Sequence, residues 1–594
     1  MKKILYFTLA LATSMVGFTS CEDQLDIEQK GVVDADEFYN NPDNALGALT
    51  AAYESFTGDV MGRQPDFEGS PGIYTPFKNM MNLCGDDIYG AGGDYTDHEF
   101  NNTLNEFRYD TSAETCKFLY KGIFLSVYTC NLVLDKYGAS TNAAVKQCVA
   151  EARVLRAYDY FILAALWGTP PLVEHVLPAD ALPTNCDKDP NYNFDQKALF
   201  EWVAKQCELA EPDLKARENT SDKNMVARVS KGFAQALAGK AYLFAGNYAA
   251  AKTALWKVID SKKYALSQNW EDLFHLEGDL NEEKIFEANI AHDDGKQGWS
   301  GLVQRSSWME MNVWMWREDR FLGGAPYMAY TGIGGWGGIG VPQEFGDAFY
   351  ANDGDSQRFK ATLVNIDDAI FGDFRNYADA SLNAMSHDEA VQSDKIGLKG
   401  NGLYGNSFWL QKKFLMKASD TDGAKSGNNI TMRNYCVMRY AEVLLNYVEA
   451  CIQTGDAAAA LPYLQEIQKR AGSKHISPAA TMDELKNEKK YEMWAEGCRW
   501  LDIMRWKDAD AIARLQKAGT NVPVVYDVKT RPIAAGDNVL AKHANGRFYI
   551  VGTQDAKDHG HTVGFKAGKH ELFPFPFDVI LKNPNLHQNP GWAN

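Results

Sequence analysis

Five tryptophans crowd one stretch of this sequence: Trp299, Trp308, Trp314, Trp316 and Trp336 fall within 38 residues. An even spread of 14 tryptophans over 594 residues would put about one there. Trp314 and Trp316 flank Met315, so in an extended chain their indoles share a face. A flat indole ringed by amide and charged groups suits a sugar, whose C–H face is apolar and whose edge carries hydroxyls. Arg305, Asn312 and Arg317 are placed to supply that rim. The competing reading is packing of the segment onto its neighbours, leaving one or two rings for ligand. A second candidate runs from Asp86-Asp87-Ile88-Tyr89 to Tyr95-Thr96-Asp97-His98-Glu99, with Tyr89 and Tyr95 as its aromatic members and a surface turn as its bland alternative.

Signatures of catalysis are poor. Gly332-Ile333-Gly334-Gly335-Trp336-Gly337 has the spacing of a dinucleotide loop, but it follows no strand-like run and opens no helix. A mobile glycine loop presenting Trp336 is the simpler reading. Asp558-His559-Gly560-His561 could bring two imidazoles to a metal, yet it reads better as surface loop. No His-Glu-x-x-His, Walker sequence or Gly-x-Ser-x-Gly elbow is present. Spacing alone does not set carboxylates such as Asp86 and Asp87 across a glycosidic bond. The Asp/Asn loops would admit calcium, but no EF-hand pattern supports it, so no cofactor is expected. With 60 Lys+Arg against 78 Asp+Glu, the formal charge of −18 argues against nucleic acid and against electrostatic adhesion to anionic lipid.

The elements that position these loops are helical. From Val149 to Leu166 the apolar residues Val149, Ala152, Leu155, Tyr158, Ile162 and Ala165 recur every three or four positions, and Gly168 and Pro170-Pro171 end the run. A helical pair covers about Ala227–Lys262 and turns at Gly246-Asn247. Another covers about Met438–Arg470 and turns at Gly455-Asp456, with Pro462 marking a kink or a late start. Both look like tetratricopeptide-type hairpins, scattered rather than repeated at a fixed period. Glu496, Arg499, Asp502 and Arg505 alternate in sign at three-residue steps, which predicts an exposed ladder of ion pairs on one helix, with Tyr491, Trp494, Leu501 and Met504 behind it. The expected fold is therefore mainly α. Tetratricopeptide-like hairpins at about 31–60, 111–290 and 431–520 form a scaffold that carries loop-rich inserts with short strands at about 61–110, 291–430 and 521–594.

At the N-terminus, Lys2-Lys3, an apolar run from Ile4 to Val16 and the residues up to Cys21 resemble a bacterial lipoprotein signal. Residues 1–20 would be removed and Cys21 would carry fatty-acyl chains of the palmitate class, sufficient for stable anchoring. The mature charge would then be −20, since two lysines and no acids leave. Acidic Glu22, Asp23 and Asp26 look like an outward-sorting signal. The remaining nine cysteines are irregularly spaced, which predicts small buried hydrophobes on helices and no disulfide framework.

Four motifs carry a wider resemblance. They are Glu151-Ala152-Arg153 through Trp167-Gly168-Thr169-Pro170-Pro171; Ala227-Arg228-Val229-Ser230-Lys231-Gly232 into Ala238-Gly239-Lys240; Arg439-Tyr440-Ala441-Glu442 through Glu449-Ala450, then Glu488 to Trp506; and the tail Phe573-Pro574-Phe575-Pro576, Asn583-Pro584-Asn585 and Gln588-Asn589-Pro590-Gly591-Trp592. In this order, and over the whole mature chain, they resemble the SusD/RagB family of outer-membrane nutrient-binding lipoproteins. The tail itself reads as a rigid extended closure over the core. The resemblance implies a non-enzymatic protein on the cell surface that captures a polysaccharide or oligosaccharide and passes it to a SusC-type TonB-dependent transporter. It also implies ligand contacts from the early Asp-rich stretch and the later insert, which would make Tyr89, Tyr95 and the tryptophan cluster the candidate residues. Peptide capture with the same transporter is the alternative, and a glycoside hydrolase the remote one.

Overall fold

The computed structural model describes residues 35–62, 76–289, 314–327, 334–399, 402–421, 431–517, 522–527, 539–542, 549–553 and 564–593. Its principal helices are α1 (Ala45–Ser55), α2 (Glu114–Tyr137), α3 (Ala143–Trp167), α4 (Gln196–Ala210), α5 (Lys231–Ala245), α6 (Tyr248–Asp260), α7 (Tyr440–Gln453), α8 (Ala457–Ala471), α9 (Met482–Glu492) and α10 (Arg499–Trp506). Each of α2 to α8 packs on the next. The hairpins that are scattered in sequence are thus adjacent in space, because α7 lies directly on α6 and the residues between them loop out.

Local chemistry sets the helix ends. Asn142 caps α3 through Ala144 N at 2.9 Å, Asp195 caps α4 through Ala198 N at 2.8 Å and Ser230 caps α5 through Phe233 N at 3.2 Å. Gly246 ends α5 at φ +80°, a left-handed conformation costly for other residues. A Cβ on Gly239 would sit 2.4 Å from Leu255 Cγ, so this glycine is what lets α5 and α6 approach. Pro462 falls inside α8 with helix on both sides.

The family-like motifs turn out to be contacts between hairpins. Arg228 donates to both carboxylate oxygens of Glu151, at 2.6 and 3.1 Å, and Tyr53 donates to the same carboxylate at 2.7 Å. Lys240 of α5 meets Glu442 of α7 at 2.7 Å, both buried. The tail closes over the end of α3: Trp167 Nε1 donates to Pro574 O at 2.9 Å, and Asn589 Nδ2 donates to Trp167 O and Phe573 O at 3.1 and 2.7 Å.

The charge-alternating row differs from its expected form. It is not one helix: α9 ends at Glu492, the chain turns through Ala495 (φ +59°) and Gly497 (φ +79°), and α10 begins at Arg499. Nor is it an exposed ladder. Glu496 pairs with Arg439 and Lys413, Arg499 with Asp86, Asp502 with Lys489 and Arg505, and Arg505 also with Glu449. Only the Asp502–Arg505 link joins two members of the row. The rest bind other elements because the turn aims each side chain into a different seam.

The insert between α6 and α7 starts and ends on one ladder, where Lys284–Ala288 pairs antiparallel with Tyr435–Arg439. It has a core of its own, with Met315, Trp316, Phe321, Tyr327, Phe371 and Leu410. Short strands recur there, and Leu403–Tyr404 joins a four-stranded sheet with strands from residues 522–553. The nine described cysteines are all free; eight are buried, but only Cys116, Cys130, Cys148, Cys207 and Cys451 lie on helices. No helix among the described residues is long and apolar enough to cross a membrane.

Candidate functional site

Tyr89-Gly90 pairs antiparallel with Ile339-Gly340, Tyr89 opposite Gly340 and Gly90 opposite Ile339. Ala91 N and Asn101 Nδ2 both donate to Gly338 O, at 3.1 and 2.9 Å. The two candidate stretches of the sequence are thereby stitched into one junction. Glycine is required for the close approach: a Cβ on Gly340 would lie 1.7 Å from Gly405 O, and one on Gly335 would lie 2.4 Å from the Met315 carbonyl carbon. The described part of the glycine run is pinned rather than loose. Gly335 N donates to Trp316 O at 3.0 Å and to the Tyr327 hydroxyl at 2.8 Å, while Gly337 N donates to Met315 O at 2.7 Å. It leads into a two-residue strand and opens no helix, so it lacks the geometry of a phosphate-binding turn.

This turn holds Trp336 half-buried, with its indole 6.2 Å from the His98 imidazole and tilted by 32°. His98 sits in a left-handed conformation at φ 51° and meets Phe100 edge-on at 5.7 Å. Burial pushes its pKa down, outweighing the opposite pull of Asp97, so the ring is a neutral partner for the indole at neutral pH. Asp97 accepts from Gly93 N at 2.7 Å and from Arg317 Nη1. Arg317 also donates to Asp319 through Nε at 2.7 Å and Nη2 at 3.2 Å, and Arg320 Nη2 donates to Gly93 O at 2.9 Å. Tyr89 is half-buried, and burial, then the Glu344 carboxylate, push its phenol up to about 12, leaving it a protonated donor. The result is an aromatic pair beside a fixed rim of guanidinium and carboxylate groups.

The other expected site residues lie elsewhere. Trp314 and Trp316 do not share a face: the chain bends at Met315, sending Trp314 into the main core and Trp316 into the core of the insert, at 1% and 5% exposure. Trp314 Nε1 donates to Asn79 Oδ1 at 3.3 Å and Trp316 Nε1 to Gln411 O at 2.6 Å, so both indoles are satisfied internally and turn no open face to solvent. Tyr95 is also buried and donates to Glu106 Oε2 at 3.0 Å. Trp299, Trp308, Arg305, Asn312, Cys21 and the stretch Asp558–His561 lie outside the described residues. Asp97 and His98 belong to the second candidate stretch, whereas Arg320 is not among the residues that the sequence singles out. The run Asp97-His98 was visible, but nothing in one sequence pairs it with Trp336 or Arg317.

Asp86 and Asp87 form no acid pair across a cleft. Asp86 is held by Arg499 and Arg514, and Asp87 is buried. Among the described residues no group of three or more His, Cys, Asp or Glu is arranged to hold a metal ion.

Comparison with known proteins fits this architecture. A family model described as the SusD family matches residues 282–592, and one described as starch-binding, associating with outer membrane, matches residues 92–243. A SusD-like protein of Bacteroides ovatus is 21% identical over 98% of this chain and 97% of its own. The starch-binding protein SusD of Bacteroides thetaiotaomicron is 24% identical over 85% of this chain and 90% of its own. Among solved structures, surface glycan-binding protein A from Bacteroides thetaiotaomicron in complex with laminarihexaose superposes with a TM-score of 0.65, at 19% identity over 92% of this chain and 99% of that one. With hairpins, insert and tail all inside these matches, the chain belongs to the SusD family.

Proposed function

We propose that this protein is a cell-surface glycan-binding lipoprotein whose ligand meets the junction of Trp336, His98 and Tyr89. The observation that carries the reading is the convergence of two aromatic segments on one two-residue ladder, beside the fixed Asp97–Arg317 pair. An indole offers the apolar face of a sugar its partner, and the protonated phenol and charged rim offer its hydroxyls hydrogen bonds. Family membership supports binding without bond cleavage. In this reading the mature N-terminus is acylated Cys21, which anchors the protein in the outer membrane. A SusC-type TonB-dependent transporter receives the ligand, and sharing one membrane supplies a high effective concentration without tight affinity.

The test is calorimetric titration of the protein against a panel of starch, laminarin and other polysaccharides, with Trp336→Ala and Tyr89→Ala alongside. Saturable binding that both variants weaken supports the reading. Binding to none of the glycans, or binding indifferent to both variants, rejects it. Release of reducing ends from a bound polysaccharide would instead indicate hydrolysis.

A further inference from the structure

Among the described residues Trp256 is the one tryptophan with a large solvent-facing surface, 40% exposed. It stands on α6, far in sequence from the tryptophan-rich window. Its indole rests on Tyr447 of α7, with centroids 5.6 Å apart and planes tilted by 33°, and meets Tyr463 of α8 edge-on at 6.4 Å. Beside it runs an open groove of about 530 Å³ lined by Lys252, Thr253, Tyr447, Thr454 and Asp456. A second groove of about 700 Å³ shares Ala249 and Thr253 with the first and extends over α4 and α5 to Trp202 and Tyr242. Ala249 and Thr253 are exposed on α6, so the wall common to the two grooves is low and free of bulky side chains.

The charges on these walls answer one another. Lys252 pairs with Asp456 across the α6–α7 seam, and Lys205 Nζ lies 2.7 Å from Glu208 Oε2. Lys257 Nζ lies 2.9 Å from Glu211 Oε2, and Asn247 Nδ2 is 3.5 Å from Glu201 Oε1. A phosphate, sulfate or uronate would find no uncompensated cation here, since each of the lining residues Lys205, Lys252 and Lys257 already faces a carboxylate, and Glu201 is the one lining acid met by a neutral amide instead. Contiguous exposed apolar area, the mark of a protein-docking patch, is also lacking, since Trp202, Tyr242 and Tyr447 are largely covered. What the two grooves offer is one open indole, a low wall of small residues between them and a rim of hydroxyls and lysine–carboxylate pairs. That combination suits an uncharged polyhydroxylated chain.

We infer that the two adjoining grooves from Trp202 to Trp256, on either side of α6, form a second glycan site, selective for neutral oligosaccharides, on the helical scaffold. It goes beyond the Trp336 junction and does not depend on it. The test titrates the full-length chain with laminarihexaose, maltohexaose and cellohexaose, and with hexagalacturonate as the acidic probe. Wild type is compared with Trp336→Ala, Trp256→Ala and Thr253→Arg; the last fills the groove from an exposed position and leaves the core untouched. The expected result is that at least one neutral hexaose still binds Trp336→Ala, about tenfold more weakly once Trp256→Ala or Thr253→Arg is added, the loss of one stacking contact. Hexagalacturonate should show no such dependence. Absence of neutral-hexaose binding in the Trp336→Ala background, or binding that Thr253→Arg leaves unchanged, overturns the proposal. Loss confined to Trp336→Ala overturns this site and spares the junction, whereas loss confined to Thr253→Arg and Trp256→Ala does the reverse.

Discussion

Arg499 donates two hydrogen bonds to Asp86, from Nε to Oδ1 at 2.6 Å and from Nη2 to Oδ2 at 2.8 Å, across 413 residues of sequence. The pair ties the start of the candidate loop to α10, and both side chains are almost wholly buried. Burial alone would push the Asp86 carboxyl up, but the guanidinium groups of Arg499 and then Arg514 outweigh it and hold it below its ordinary value. Asp86→Ala strands Arg499 without its bidentate partner and should cost about 3–5 kcal/mol. Urea unfolding monitored by circular dichroism checks this, and a loss under about 1 kcal/mol would contradict the buried pairing.

Its neighbour behaves in the opposite sense. Burial, then the charge of Asp86, push Asp87 up to about 7, and Asp87 Oδ2 has no hydrogen-bond partner among the described residues. The folded state then holds a proton that the unfolded chain releases near pH 4. Stability from this group is present at low pH and falls as the pH rises from about 4 to 7. Asp87→Asn should therefore raise the melting temperature at pH 8 and flatten that slope. Melting curves at pH 5 and pH 8 with equal shifts in the two conditions would contradict this.

His570 gives a slope of the other sign. It is buried against Phe107 and Trp592, with ring centroids at 5.4 Å in each case, and its Nδ1 accepts from Lys566 N at 2.9 Å. Burial, then Lys569 and Lys566, lower its pKa to about 4. The unfolded imidazole takes up its proton near pH 6.5, so the folded state loses stability as the pH falls from about 6.5 to 4. His570→Phe should remove that loss, which thermal melts across pH 4 to 7 would reveal.

The rim should separate binding from folding. The Arg317 and Asp97 side chains are 27% and 36% exposed, so Asp97→Asn should change stability by no more than about 1 kcal/mol. Glycan affinity should nevertheless drop several-fold, because Arg317 and the Gly93 turn lose their shared anchor. A titration showing unchanged affinity would exclude this pair from the site.

Gly335→Ala tests the presentation of Trp336. Its new Cβ would collide with the backbone at Met315, and since backbone cannot rotate away the turn must shift, at a cost of about 1–3 kcal/mol. Glycan affinity should fall with it, whereas Gly246→Ala, with open space around its Cβ, should destabilise the protein and leave affinity unchanged.

Much of the scaffold is legible in the sequence because helices announce themselves locally. The apolar spacing from Val149 to Ala165 and the glycines at 168, 246 and 455 place α3 and both hairpin turns within a few residues. The contact of α6 on α7 is not legible, since the intervening insert carries no sign that its ends pair. The candidate site is harder still. A two-residue ladder such as Tyr89-Gly90 with Ile339-Gly340 has no period to detect, and a bend at Met315 reverses the reading of two tryptophans. Charge alternation along Glu496–Arg505 is visible, but its partners, Asp86, Glu449 and Arg439, come from three other elements. Trp256 stands alone in sequence and gains meaning only from Tyr447.

The tail also has a temporal consequence. Trp167, wholly buried, receives its cover from Pro574 and Asn589, 407 and 422 residues further along the chain. During synthesis α3 is complete long before the residues that seal its end exist. At 5–20 residues per second the wait is on the order of tens of seconds. Through that interval the Trp167 indole and carbonyl lack their final hydrogen-bond partners, which only the last segment of the chain supplies.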